Sequence, residues 1–415
     1  MTFGGGMMVA DPARLRECVH CGLCLNACPT YLELGTEMDS PRGRIHLIRS
    51  LEDGTQALDA SVVRHLDLCL GCRACETACP SGVRYGEIIE SARAYVERHA
   101  PRPWRQRLRR QALLAVFPYR RRVRVLLSLG RLARTLGVWG LVQRALPAAA
   151  LMPDTEVAAP LAAYTPATGV ERSRVALLTG CVAGELFATT NVAAVEVLVR
   201  NGVGVAVPPG QGCCGALHLH NGDPQTARDL ARRTLDAFPS EIDAVVVTAA
   251  GCGAAMKEYG ALLADDPRYA ARAQRFAGRV RDVTEYLGGL GGLATAAGPP
   301  LRATYHDACH LAHAQGVRGA PRRLVAAIAG VELVELPEAD VCCGSAGSYN
   351  LTEPAMAARL QGRKIDHIAA TGAQCVVAAN PGCALQIRAG LAARGLEVRV
   401  AHPVELLAEA YRRVR

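Results

Sequence analysis

Lysine is almost missing from this chain: of its 47 basic residues only Lys257 and Lys364 are lysines. Arginine in place of lysine on that scale reflects a GC-rich coding sequence rather than a function. Aromatic residues are scarce too, at 4%. Few of them accompany the arginines and no nucleic-acid-binding motif occurs, so the net charge of +9 is no argument for a nucleic-acid partner. No window approaches the ~18–20 uninterrupted apolar residues that spanning a bilayer requires. The opening run MTFGGGMMVADPARL lacks a basic stretch followed by an apolar one, so no secretory signal is expected. Paired carboxylates, a Ser/His/Asp set and a lone nucleophilic Cys are all lacking, which leaves hydrolytic chemistry unsupported. A Gly-x-Gly-x-x-Gly between strand and helix is lacking as well. The GGLGG at Gly288–Gly292 follows a helix-like stretch with the wrong spacing, so no flavin is expected on this chain.

Cysteine, by contrast, is plentiful: 17 in 415 residues. Without a secretory segment, that number implies a reducing, cytoplasmic compartment where thiolates stay available to metals. Cys18–Pro29 reads CVHCGLCLNACP and Cys69–Pro80 reads CLGCRACETACP, both Cys-x-x-Cys-x-x-Cys-x-x-x-Cys-Pro. Such spacing points three thiolates at one iron–sulfur cube, and in two-run proteins the fourth Cys ligates the other cluster. Cys18, Cys21, Cys24 and Cys79 are therefore expected to hold one 4Fe-4S cluster. Cys69, Cys72, Cys75 and Cys28 are expected to hold the other. Zinc sites space their Cys pairs widely, and disulfide frameworks belong to short secreted chains, so neither reading fits. The proline after each fourth Cys is expected to end local backbone pairing.

The expected fold class is α+β multidomain. An α-helical ferredoxin-like unit over 11–100 is followed by an Arg-rich helical segment and Pro/Ala linker over 101–170. Two α/β repeats, 171–297 and 298–415, complete the chain. Helical spacing of Ile45, Leu47, Ile48 and Leu51, and of Val62, Val63 and Leu66, predicts two helices joined by a loop at Glu52–Thr55. A further helix is expected over Tyr85–His99, before Pro101 and Pro103. Arginines crowd Arg102–Arg144, interleaved with Leu108, Leu113, Leu114, Val116 and Phe117. That partial amphipathicity suits an anionic membrane surface, an acidic partner subunit or a solvated linker helix. The linker runs from Pro147 to Gly169.

The remaining residues repeat. One copy runs RVALLTGCVAGELF, a helix, VGVAVPP and GQGCCGALHLHNGD, then a helix, DAVVVTAAGC and GAAMKEYG. The other runs RATYHDACHLAHAQG, a helix, VELVELP and ADVCCGSAGSYNLTEP, then a helix, CVVAANPGC and ALQIRAGL. Strands, helices and short Gly/Pro turns alternate, which predicts mainly parallel sheets. Thiols fall at matching places: Cys181, Cys213, Cys214 and Cys252, then Cys309, Cys342, Cys343 and Cys383. All are expected just past strand ends or in turns, where open α/β sheets bind ligands. Gly215 and Gly344 are expected to let the backbone turn and approach a cluster closely. Cys375 has no counterpart and reads as a buried small hydrophobe.

With two cluster runs followed by two CCG repeats, the chain resembles the CCG-domain redox proteins. That group includes heterodisulfide reductase electron-transfer subunits and the iron–sulfur subunits of glycerol-3-phosphate dehydrogenase and of lactate utilisation. MDSPRGRI (Met38–Ile45), CCGALHLHNGD (Cys213–Asp223), YHDACHLAHAQ (Tyr305–Gln315) and CCGSAGSYNL (Cys342–Leu351) most resemble the glycolate oxidase branch. The resemblance implies an FAD-containing partner subunit that oxidises glycolate or a related 2-hydroxy acid. It further implies an iron–sulfur subunit passing electrons to a quinone or other membrane acceptor, at the inner face of the cell membrane. Heterodisulfide reductase members close the motif with Cys-x-x-Cys, whereas here Ala249-x-x-Cys252 and Asn380-x-x-Cys383 keep four thiols per repeat. Four thiolates suit either an ordinary 4Fe-4S cluster or tetrahedral zinc, and both remain open. The missing fifth Cys argues against a thiol/disulfide reductase, and a zinc-containing docking scaffold is the remaining rival.

Several side chains flank these thiols. Arg42 and Arg44, expected in the loop after the first run, would stabilise a reduced cluster or form a plain surface salt bridge. His306, Asp307, His310, His218 and His220 are candidates to tune a centre or carry protons. For His220 and His313 the reading is a histidine satisfied in a polar turn.

Overall fold

In a computed structural model of the chain, residues 8–146, 149, 151–152 and 159–414 are described. The first seven residues of the opening run, and 147–148, 150 and 153–158 of the Pro/Ala linker, lie outside the described residues.

Short capped helices build the first unit: Pro12–Arg16, Pro29–Leu34, Pro41–Glu52, Ala60–Asp67, Ala74–Thr77 and Tyr85–His99. Asp11, Ser40 and Asp59 each accept a backbone N–H of the first turn, and Pro12, Pro29 and Pro41 open their helices with the N–H they lack. Pro29 thus starts a helix directly after Cys28 rather than merely ending a turn. Glu52 closes its helix and the connection runs on to Asp59, longer than expected, because the next helix begins only where Asp59 caps it. Leu15, Ile45, Ile48, Val62, Leu66, Ile88, Ile89, Ala92 and Val96 fill one core. Their three- and four-residue spacing puts them on the inner helix faces.

Helices Trp104–Val116, Arg120–Thr135 and Trp139–Ala145 carry the arginines. The first buries no residue, and the second only Val123, Leu127 and Gly130. Arg120 and Arg124 pair with Glu185 of the α/β part, which tethers the segment.

The α/β part holds two sheets. β1 (Tyr164–Thr165), β2 (Ser173–Leu178), β3 (Val203–Ala206), β4 (Ala244–Val247) and β5 (Val280–Asp282) lie in the order β1-β3-β2-β4-β5. β6 (Ala297–His306), β7 (Ala329–Val334), β8 (Cys375–Ala378) and β9 (Arg399–Ala401) lie in the order β7-β6-β8-β9. Apart from antiparallel β1, all pairings are parallel, so β3-β2-β4-β5 and β7-β6-β8-β9 are the same topology twice. Sheets covered on both faces need strands apolar throughout, as AVVV in β4 and CVVA in β8 are.

The two copies exchange helices. Val283–Leu290, after β5, packs on Gly319–Ala326 of the second copy, while Pro403–Arg413, after β9, packs on Ala188–Arg200 of the first. One core results, joining Val175, Leu177 and Val246 to Tyr305, Val377 and Tyr411. Cys375 is fully buried in it.

Candidate metal centres

In the first unit the fold brings Cys28 to the second run. Burial pushes the Cys75 thiol well up, and charge on Cys72, Cys69 and Cys28 adds to it. Cys72 is raised by burial, then by Cys309, with smaller contributions from Cys28 and Cys69. Cys18, Cys24 and Cys79 pack half-buried against the same core, and Cys21 is exposed. Burial pushes Cys24 up to about 11, with Cys18 and Cys28 contributing.

Cys69 behaves oppositely. Burial disfavours its thiolate, yet the Arg44 and Arg93 guanidinium groups outweigh that and bring its pKa below the ordinary value. Gly71 N–H donates to its Sγ at 3.3 Å and Tyr85 O–H at 3.7 Å. Charge-assisted and N–H···S contacts favour the ionised, ligand form of a thiol.

Arg42 and Arg44 lie in helix Pro41–Glu52, not in a loop. Arg42 is the surface salt bridge, paired with Glu37 at 2.8 Å, and also donates to His20 O at 3.0 Å. Arg44 is 1% exposed and points inward, at Cys28, Thr30 and Asp39.

In the α/β part the eight thiols form two matching chains. Cys181 faces Cys213, Cys213 faces Cys214 and Cys214 faces Cys252. Cys309 faces Cys342, Cys342 faces Cys343 and Cys343 faces Cys383. The loops after β2, β3, β6 and β7 supply three of each four. Cys252 and Cys383 instead sit in the first turns of helices Ala250–Lys257 and Pro381–Ala393, still at the carboxyl ends of β4 and β8. Gly215 and Gly344 have φ of +86° and +87°. A Cβ there would meet Ala227 O at 3.0 Å or Ala357 O at 2.6 Å, so these glycines admit a helix rather than a cluster.

The first unit docks against both repeats. Cys72, Leu68 and Leu70 share an apolar cluster with Cys309 and Cys342. Tyr349 O–H donates to Leu68 O at 2.9 Å. Arg73 pairs with Glu258 and lies 3.6 Å from Glu90, while His220 Nδ1 meets Glu90 at 2.9 Å. The sequence held no signal for these contacts, because their partners lie on different units.

The histidines divide. His313 is satisfied, by Thr77, Arg318 and Asp340 O. His220 has its Glu90 contact, but its Nε2 has no partner. His218 pairs with Asp223 at 2.9 Å, and Asp307 takes a forked pair from Arg322 at 2.7 and 2.8 Å. His310 Nδ1 lies 3.5 Å from Cys309 Sγ. His306 is fully buried, and among the described residues neither ring nitrogen makes a well-formed hydrogen bond, although the Ala339 backbone is close. Its ligand atom, Cys343 Sγ and Cys383 Sγ lie within 4.8 Å of one another. Sequence reasoning missed Lys364, buried nearby with its Nζ on Glu338 O and Ala339 O.

Eight thiols in two runs of four, and four at the strand ends of each of two α/β copies, define an iron–sulfur protein with cysteine-rich repeats. The chain matches the 4Fe-4S dicluster domain over residues 14–83 and the cysteine-rich domain over 175–257 and 303–388. It is 39% identical over 420 residues to a probable glycolate oxidase iron–sulfur subunit of Bacillus subtilis, covering 96% of this chain and 95% of that one. It is 36% identical over 400 residues to the glycolate oxidase iron–sulfur subunit of Escherichia coli, covering 95% and 94%. Lactate utilization protein A of Geobacillus kaustophilus is 33% identical over 236 residues, 56% of this chain and 98% of that one. The chain belongs to the family of glycolate oxidase iron–sulfur subunits and is an electron-transfer subunit. Among the described residues no helix is long and apolar enough to cross a membrane.

Proposed function

We propose that this chain conducts electrons within an assembly that oxidises glycolate or a related 2-hydroxy acid, the FAD lying on another subunit. Bound 4Fe-4S clusters supply one-electron relay. Cys18, Cys21, Cys24 and Cys79 hold the first, and Cys69, Cys72, Cys75 and Cys28 the second. Arg44, Arg93 and the Gly71 N–H around Cys28 and Cys69 favour added negative charge there. Val19 and Leu23, 67% and 60% exposed, flank exposed Cys21 and offer the flavoprotein an apolar contact.

The observation that carries this reading is the burial of Cys72 with Cys309 and Cys342 in one apolar cluster. It joins the second run to the second repeat, so the route onward leads into the α/β part. Each repeat holds one metal centre on its four thiols, within units spanning 11–100, 171–297 and 298–415. Segment 101–170 meets the membrane that supplies a quinone or equivalent acceptor. Its helices present arginine and leucine together, and no Asp or Glu occurs between Arg98 and Leu146.

Iron, zinc and acid-labile sulfide per chain, with EPR of the anaerobically reconstituted, dithionite-reduced protein, test the reading. Magnetically interacting 4Fe-4S signals are expected, and their absence overturns it.

A further inference from the structure

We infer that His306 is a metal ligand of the second cysteine-rich repeat, whose centre is then mixed imidazole and thiolate while that of the first repeat is thiolate alone. This rests on the reading that each repeat holds metal, and it adds a donor that the four-thiol motif does not contain.

Three observations converge. The ligand atoms of His306, Cys343 and Cys383 fall within 4.8 Å of one another. Imidazole and thiolate bound at ~2.0–2.3 Å sit roughly 3.3–3.8 Å apart around a tetrahedral ion, so closure needs about an ångström of movement. His306 is fully buried, and among the described residues neither ring nitrogen has a well-formed hydrogen bond, the Ala339 backbone standing close but out of good geometry. A buried imidazole without a partner is costly, and a metal bond satisfies one nitrogen outright.

The third observation is positional. His306 ends β6 three residues before Cys309, as Leu178 ends β2 three residues before Cys181. Leu178 is buried and apolar, so the first repeat has no counterpart donor at that strand end. The duplication has therefore kept the thiols and changed the fifth neighbour. Cys342, which faces Cys343, supplies the fourth position, so the imidazole stands in for the Cys309 thiol; both Cys309 and Cys342 lie in the cluster with Cys72. A neutral imidazole in place of thiolate makes a centre less negative, which raises its potential when the centre is an iron–sulfur cluster. The repeat nearest the second run is thus the better electron sink.

The test uses the full-length protein, isolated without oxygen and grown with 15N-histidine or natural-abundance histidine. The eight thiols of the first unit include no nitrogen donor, so a strongly coupled histidine nitrogen in pulsed EPR belongs to the α/β part. If elemental analysis finds zinc there, zinc-edge X-ray absorption reads the imidazole shell instead. The nitrogen signature is expected in the wild type and in Cys214→Ser, and is expected to vanish in His306→Ala and in His306→Cys. His306→Ala should lose metal to a chelator about tenfold faster or more, and His306→Cys should restore retention. A signature that survives His306→Ala, or a loaded second repeat without one, overturns the inference alone. If Cys343→Ser removes no metal, the second repeat holds none, and the underlying reading falls with it.

Discussion

Arg44 Nη1 lies 3.9 Å from Cys28 Sγ, while its Nη2 donates to Thr30 Oγ1 at 3.0 Å and its Nε to His65 O at 2.7 Å. A guanidinium that is 1% exposed is thereby fixed against the Cys28 thiol, close to the thiols of the second run. Its full charge acts with little screening on whatever those thiols hold. At an effective dielectric of ~20 and a separation of ~6 Å, one unit charge is worth about 3 kcal/mol. For a one-electron couple that is on the order of 100 mV. Arg44→Met should therefore lower the potential of the second cluster by roughly that amount, as read by EPR-monitored redox titration. Arg42→Met, which removes a surface pair with Glu37, should leave the potential nearly unchanged. Equal shifts in the two variants would refute the assignment.

The cross-donated thiols allow a sharper comparison. Cys28 is near Cys72 and Cys75, and Cys79 packs against the same core as Cys18 and Cys24. Cys28→Ser should damage the second cluster more than the first, and Cys79→Ser should do the reverse. EPR of the two reduced variants, with iron counted per chain, distinguishes them. The opposite pattern would mean that each run closes its own cube.

Much of this was legible because local patterns carried it. β2, β4 and β8 end in apolar runs followed by Gly or Cys turns, and Tyr85–His99 stops before Pro101 and Pro103. Cys28 does lie close to the thiols of the second run, the neighbourhood that its spacing leads one to expect. Arg44 was misplaced because the turn ends earlier than expected: Ser40 caps a helix, and the helix aims the side chain inward. The contacts of Cys72 with Cys309, and of Arg73 with Glu258, leave no trace in either stretch of sequence, since docking between units has no period. His306 was visible as a residue but not as an orphan. Only the fold shows that no described residue gives it a well-formed hydrogen bond.

Duplication also leaves a paired pH signature away from the thiols. Asp282 and His402 occupy the same place, capping the exchanged helices with Glu285 and Glu405 closing each capping box. Burial pushes the Asp282 carboxyl from 3.8 up to about 6, and burial lowers His402 from 6.5 to about 4. The native state therefore holds the Asp282 proton after the unfolded chain has released it. That contribution is full below pH ~4 and lost as pH rises through ~6, a change on the order of 3 kcal/mol. His402 works in the opposite sense: its contribution is present above pH ~6.5 and lost as pH falls through ~4. Asp282→Asn keeps the acceptor for Thr284 and removes the ionisation. It should raise the thermal midpoint at pH 7–8 by an amount equivalent to about 1–2 kcal/mol, and change little at pH 4. A gain of equal size at both pH values would show that the effect is not ionisation.

The arginine-rich helices yield the remaining prediction. Leu129, Leu132 and Leu136 are 58%, 53% and 65% exposed on or beside helix Arg120–Thr135, and Trp104 is 69% exposed on the preceding helix. Apolar side chains in the open, set among arginines with no acidic residue for tens of positions, fit the proposed contact of these helices with a bilayer interface. An acidic protein partner would complement the charge but would leave this much leucine without a matching requirement. The full-length protein should co-sediment with vesicles containing phosphatidylserine or phosphatidylglycerol and not with phosphatidylcholine alone. Binding should weaken steeply as salt rises past the range where the Debye length falls below ~10 Å. Leu129→Glu combined with Leu136→Glu removes two inserted side chains, each worth on the order of 1–2 kcal/mol when buried, so affinity should fall at least tenfold. Iron content and the reduced EPR spectrum should stay unchanged in that variant, since neither leucine packs in a core. Vesicle binding that is indifferent to both leucines, or equal on neutral and anionic lipid, would assign these helices to a protein interface instead.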